Sequence, residues 1–403
     1  MAISPSRPLA VNITPQFATW LTRASTIRPF KLSLRIRGNP KKHQLIRELS
    51  FGIASLASRL SQLTLEFDGT ASDVMWPFFT LPPDTFPVLD VLHLHFASRI
   101  TEEIVSLYDH VPCSMLSDPD YLLLPWEQIL YLEIMGEITL RTFSTIIFQC
   151  PQLHRLSVAG IDLDATADDL VDFLPPNTPQ TFANLEELWI QIRGYEHNVP
   201  VLMENVLPFV RFPRLQTLKV AGNSEDTYHM FTLFALVPNL LECSSTTLRH
   251  VSLCFIDIKP HEFLSFLLSC TAVETLNCLI PAEVPPDTLL RHLNSRSNTT
   301  SIALPCLSNM KIAFTEQDFP LDLPRLDEAL VAFASISPTR PLRVLYPIII
   351  QSDDHVDTKA TALICKRIST KLETLNQDVE VKVEESRHIL HAFGMRDINL
   401  LAI

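Results

Sequence analysis

The feature that most constrains this chain is a short apolar spacing that recurs nine times. An apolar residue is followed by two variable residues, an apolar residue, one variable residue and a last apolar residue. It appears as Leu60-Ser61-Gln62-Leu63-Thr64-Leu65 and again as Leu89-Asp90-Val91-Leu92-His93-Leu94. Further copies begin at Ile129, Leu153, Leu185, Leu215, Leu248, Val273 and Leu307, with starting points 24 to 40 residues apart. The last four positions of each copy alternate apolar and polar, as in a short strand with one buried face. One such unit is too small to bury its own leucines, so successive copies must stack and share a core.

Between the copies lie stretches with helical character, at 44–58, 101–110, 140–150, 165–174, 201–210, 225–237, 261–270 and 287–294. Thr101 stands before two glutamates as a capping residue, and Pro260 precedes His261, the place where a helix tolerates proline. Strand, turn, helix and strand again predict an α/β fold. Its expected form is a right-handed βα solenoid with irregular repeats whose strands build one parallel sheet. After Ile312 the repeat fades. Residues 324–337 and 359–375 read as helices, 378–383 as an alternating strand, and 387–403 as a docked helix or a tail. The expected organisation is therefore an N-terminal segment at 1–28, the repeat array at 29–315, and a C-terminal α/β cap and tail at 316–403.

The pattern resembles leucine-rich repeats. The usual repeat places Asn or Cys three positions after its last apolar residue, where the side chain satisfies backbone groups in the turn. Here only Asn223 fills that slot, whereas Ala97, Ile161 and Ile256 occupy others. The turns must satisfy their polar groups by other means. Near the start, Val11-Asn12-Ile13-Thr14, Trp20-Leu21-Thr22-Arg23-Ala24-Ser25 and Pro29-Phe30-Lys31-Leu32-Ser33-Leu34 are similar to the region that follows the F-box in fungal F-box proteins with leucine-rich repeats. Phe86-Pro87-Val88-Leu89, Cys150-Pro151-Gln152-Leu153 and Phe212-Pro213-Arg214-Leu215 carry the resemblance along the chain. It implies the substrate-recognition repeats of a ubiquitin-ligase receptor. An F-box of roughly 40 helical residues would stand ahead of Val11, where ten residues are present. Binding of the Skp adaptor is therefore not expected.

Composition narrows the function further. The net charge is −13, and no basic run exceeds two residues such as Lys41-Lys42, which argues against nucleic acid and anionic membrane surfaces as partners. Eight glycines stand far apart, so no phosphate-cradling loop is present. The eight cysteines form no CxxC pair, and most lie in apolar strings. Reduced, buried thiols in the cytoplasm or nucleus are the expectation. The first residues lack a secretory leader pattern, and no apolar run reaches membrane-spanning length.

Candidate chemistry is sparse. His93 and His95 point to the same side of their strand, with Glu66 and Glu133 at comparable slots in adjacent repeats. A metal role would need a third ligand from a neighbouring strand, and exposed polar strand residues are the simpler reading. His388 with His391, and Asp353, Asp354, His355 and Asp357, read as surface groups. No GxSxG elbow exists. Hence no catalytic, cofactor or metal residue is assigned, and a protein-binding role is expected. Trp189, between Leu188 and Ile190, should turn outward onto the open sheet face. Around it we expect Glu187, Gln191, Arg155, Lys219 and Arg249, a mixed polar surface with an aromatic centre, and a protein target docked there. A scaffold with no ubiquitin link and an enzyme with a cryptic site are the alternatives.

Overall fold

A computed structural model describes residues 29–36, 54, 56–68, 81–97, 124–162, 180–193, 210–222, 231–232, 246–254, 256–257, 260–279, 290, 293, 304–315, 328–333, 342–350, 366–367, 370–371, 380–381 and 384–385. The chain divides into two compact units, Met1–Pro175 with Ile398–Ile403, and Pro176–Asp397.

In the first unit five strands lie side by side in chain order, all parallel. They are β1 (Phe30–Ile36), β2 (Leu60–Asp68), β3 (Val91–Ala97), β4 (Tyr131–Thr139) and β5 (Arg155–Asp162). Helix α1 (Leu140–Gln149) connects β4 to β5. The register aligns the repeat leucines into two buried ladders, Leu63–Leu92–Leu132–Leu156 and Leu65–Leu94–Ile134–Val158. Gly136, with φ 141°, sits where the β4–β5 register shifts, a backbone region that glycine enters without a Cβ clash.

The second unit repeats the plan. It contains β6 (Gln180–Thr181), β7 (Glu187–Arg193), β8 (Val210–Arg211), β9 (Thr217–Ala221), β10 (Phe231–Thr232), β11 (His250–Cys254), β12 (Ile256–Asp257), α2 (Pro260–Ser269), β13 (Thr275–Leu279), β14 (Asn309–Thr315), β15 (Val344–Ile350), β16 (Glu380–Val381) and β17 (Glu384–Glu385). Strands β7, β9, β11, β13, β14 and β15 pair in that order, all parallel. Both β16 and β17 pair with β15, as the alternating pattern at 378–383 suggested for part of that stretch. The core ladders are Leu188–Leu218–Val251–Leu276–Met310–Leu345 and Ile190–Val220–Leu253–Cys278–Ile312.

Local sequence explains why these strands start where they do. Phe86-Pro87-Val88-Leu89, Cys150-Pro151-Gln152-Leu153, Phe212-Pro213-Arg214-Leu215 and Leu304-Pro305-Cys306-Leu307 each close a turn, the fourth amide donating to the first carbonyl. Proline at the second position pre-sets the φ that such a turn needs. The first and fourth residues of each turn are buried.

A backbone motif then locks neighbouring copies together. At seven places a carbonyl just before a strand accepts two consecutive amides from the next copy. Glu186 O accepts from Gln216 N and Thr217 N, both at 2.9 Å, and Gln216 O accepts from Arg249 N and His250 N at 2.8 and 2.9 Å. The same arrangement recurs at Asp90, Leu130, Arg249, Glu274 and Ser308. Side chains add further links between the turns that precede the strands. Gln128 Nε2 donates to the carbonyls of Phe86 and Leu89, Thr247 Oγ1 to Leu215 O, and Ser308 Oγ to Glu274 O.

Both helices bury the same spacing, Phe143, Ile146, Ile147 and Cys150 for α1, and Phe263, Phe266, Leu267 and Cys270 for α2 with the residue that follows it. That i, i+3, i+4, i+7 stripe is the face a helix lays on a core. Two expected helices meet a different outcome at the residues described. Val210, at the end of 201–210, is in β8, which pairs with β6. Phe231 and Thr232, inside 225–237, form β10 against β12. Two-residue ladders satisfy backbone groups without leaving a periodic trace. Residues 1–28, Asn223, His388, His391 and the 353–357 cluster lie outside the described residues.

The expectation of one solvated sheet face needs correction. In the second halves of β4, β5, β9, β11, β13 and β14 both faces are shielded, with Met135, Ala159, Ala221, Cys254, Leu279 and Ala313 all buried on the side opposite the leucine ladders. Parallel strands covered on both faces favour small or apolar residues at such positions.

Candidate functional site

On the face opposite the leucines, the first unit presents three rows set by register. The first holds Lys31, Gln62, Val91, Tyr131 and Arg155. The second holds Ser33, Thr64, His93, Glu133 and Ser157, and the third Glu66, His95, Met135 and Ala159. Solvent reaches the first row best. Arg155 is exposed, and Tyr131 is 42% exposed, an unusual position for so large a ring. Its ring stacks over His154 with centroids 6.1 Å apart.

A groove of about 260 Å³ runs along these rows, walled by Gln62, Val91, Tyr131 and Arg155 and reaching His93 and Glu133. At its base the pleat brings His93 and His95 to one side of β3, facing Glu133 on β4. His93 Nδ1 lies 3.3 Å from Glu133 Oε2, and His95 Nε2 lies 2.9 Å from Glu133 Oε1. The rings stand edge to face, 90° apart with centroids at 6.5 Å. The imidazoles retain about a quarter to a fifth of their surface, 24% and 21%, against 11% for the carboxylate. Glu133 is thus a mostly buried acceptor held between two ring nitrogens, and His93, His95 and Glu133 are the one group of possible metal ligands among the described residues.

In the second unit Trp189 is half-buried and in register with Lys219, also half-buried. Glu187 is half-buried opposite Thr217. Gln191 departs from expectation. It is buried opposite Ala221, with its Oε1 lacking a hydrogen-bond partner, because the third row is shielded from solvent. Ser157 and Ser252, one row nearer the strand starts, are buried as well. Arg249 precedes β11 and falls in the row of Glu186 and Gln216, three residues from the Trp189–Lys219 row. Its guanidinium pairs with Glu274 of the next copy at an exposed position, which contributes only about 0–1 kcal/mol. Arg155 belongs to the first unit, where it lines the groove.

The structure joins Glu133 to the His93–His95 pair, which sequence spacing left without a demonstrated third partner. It also singles out Tyr131, which sequence reasoning passed over. The signal was present. Tyr131 directly precedes a core leucine, at the outward slot that Arg155 and Glu187 occupy in their own copies.

The cysteines carry a separate message. Cys150, Cys254, Cys270 and Cys278 are free and buried, whereas Cys306, in the last proline turn, is free and exposed. Burial pushes the Cys270 and Cys278 thiols up to about 12 and raises Cys150 further. These thiols stay protonated and unreactive at neutral pH. No described helix is long and apolar enough to cross a membrane. No protein-family model matches the chain, and no curated protein matches it.

Proposed function

We propose that this chain is a non-catalytic, leucine-rich-repeat-like βα solenoid that binds a partner protein, in a role similar to the substrate-recognition repeats of F-box proteins. The observation that carries the reading is the groove on the first unit, where an exposed tyrosine and an exposed arginine stand side by side on adjacent strands next to Val91. Tyr and Arg bury much area while keeping polar ends, and they dominate measured interface energies. The recurrent two-amide carbonyl lock, present in each unit, supports a repeat array as the frame. A cytoplasmic or nuclear setting belongs to the same reading, supported by the four buried free thiols.

The test is comparative capture from cell extract with the full chain and with a Tyr131→Ala/Arg155→Ala double variant, quantified by mass spectrometry. A discrete set of proteins should be lost with the variant while the melting temperature stays within a few degrees. Identical capture by both proteins would refute the groove as the contact surface. Direct binding of a purified Skp-type adaptor would extend the reading to a ubiquitin-ligase receptor, and its failure would favour an interaction scaffold.

A further inference from the structure

The geometry points to a binding site for a first-row divalent transition-metal ion, zinc in the cell, formed by His93, His95 and Glu133. Two imidazole nitrogens and one carboxylate are the donor set such ions take, and three protein ligands leave a coordination position open. The fold supplies what the residue types require. An His-x-His pair on one strand places both rings on one face, and the parallel register sets Glu133 directly opposite His93.

The separations are those of hydrogen bonds to the two different oxygens of Glu133, and they lie close to what an ion needs. Metal–ligand bonds of about 2.0–2.1 Å give tetrahedral ligand–ligand edges of roughly 3.3–3.4 Å. The nitrogen–oxygen separations are 3.3 Å for His93 and 2.9 Å for His95, and the three donor atoms all lie within 4.8 Å of one another. Small ring and carboxylate rotations therefore admit an ion between them. Partial burial removes much of the competing water, and an ion offsets the cost of holding a carboxylate at 11% exposure. His93 and Glu133 also line the groove, so the open position lies toward the surface that is accessible to a water or a partner's side chain. Glu66, in register with His95 on β2, adds a second carboxylate to the neighbourhood.

The rival account is a carboxylate clamped by two imidazoles with no ion. The experiment uses the full metal-free chain titrated with Co²⁺ and then Zn²⁺, beside His93→Gln and Glu133→Gln variants checked by circular dichroism. The expected result is one Co²⁺ per chain with the visible absorption of a low-coordinate nitrogen–oxygen site, displaced by Zn²⁺. Each variant should lose at least about 100-fold in affinity, since even losing an outer-shell partner costs 10–100-fold. Because the chain has 13 histidines, a residue-resolved readout accompanies the titration. Saturating Zn²⁺ should slow diethylpyrocarbonate modification of His93 and His95 in the unaltered chain, a result that does not depend on the variants folding. Unchanged affinity in folded variants, or unchanged modification of both histidines under zinc, overturns the site. Neither arm involves a partner protein, so the outcome is separate from that of the interaction reading.

Discussion

Truncating Leu218 to alanine probes the shared core most directly. Leu218 is 2% exposed and stands in register between Leu188 on β7 and Val251 on β11, both buried. The substitution removes three carbon groups, about 2.4 kcal/mol of transfer free energy at about 0.8 kcal/mol each. Leu188 and Val251 are held by their own strands and cannot collapse fully into the space. A cavity of ~80 Å³ at ~24 cal/mol per Å³ adds about 2 kcal/mol, placing the total near 4 within the observed range of about 2–5. For a unit of this size that lowers the melting temperature by roughly 8–16 °C. Native-state hydrogen exchange checks the mechanism. Amides of β7 and β11 should exchange faster along with those of β9, because Glu186 O and Gln216 O tie the three copies together. Acceleration confined to Thr217–Ala221, with Leu188 and Val251 unchanged, would refute the claim that one core serves consecutive copies.

Two further outcomes follow from other parts of the structure. Gln128→Ala should cost about 1–3 kcal/mol by removing the donor shared by the Phe86 and Leu89 carbonyls; Gln128→Glu, although isosteric, should be no better in urea unfolding at pH 8, because a carboxylate presents an acceptor to two acceptors. Among the described cysteines, alkylation followed by mass spectrometry at pH 8 should label Cys306 before Cys150, Cys254, Cys270 and Cys278, which stay intact until the protein unfolds. The raised folded pKa of Cys270 and Cys278 has a definite sign. Their contribution is complete below the unfolded value near 8.5 and is lost progressively as the pH rises from there toward about 12. A Cys270→Ala/Cys278→Ala protein should accordingly show a shallower alkaline loss of stability than the parent.

The leucine ladders were legible in the sequence because burial on one strand face imposes a period of two, and that period survives irregular spacing between copies. The proline turns were legible too, since Pro87, Pro151 and Pro213 sit at the one turn position where a fixed φ helps. Helices α1 and α2 announced themselves through their four-residue buried stripes. Other features left no local trace. The two-residue strands at Val210 and Phe231 are too short to alternate. The carbonyl clips from Gln128, Thr247 and Ser308 reach back 32 to 42 residues, and nothing near those residues encodes the partner. The His93–Glu133–His95 contact depends on strand register, which the spacing of histidines on one strand does not specify.

The most instructive departure concerns the face expected to be open. Alternation tells which residues avoid the leucine core, but it does not tell whether the opposite side meets water. Along this face exposure falls from the first row to the third, from Tyr131 at 42% to Met135 at 1%. That gradient separates two residues that sequence position alone makes comparable. Trp189 lies in the second row, and its Nε1 is buried without a hydrogen-bond partner, as is Gln191 Oε1 two residues on. A partner docking on the first row would not reach either atom, and leaving such groups unpaired costs about 1–3 kcal/mol each. A Trp189→Ala variant that loses stability and keeps partner binding would identify the ring as packing, and one that loses binding at unchanged melting temperature would identify it as a contact. Tyr131, one residue before its core leucine, stacks on His154 yet stays 42% exposed beside Arg155, which leaves it surface to bury against a partner. The interface proposed on the first unit is accordingly centred on the row that begins each strand, with Trp189 of the second unit as the alternative centre to be tested beside it.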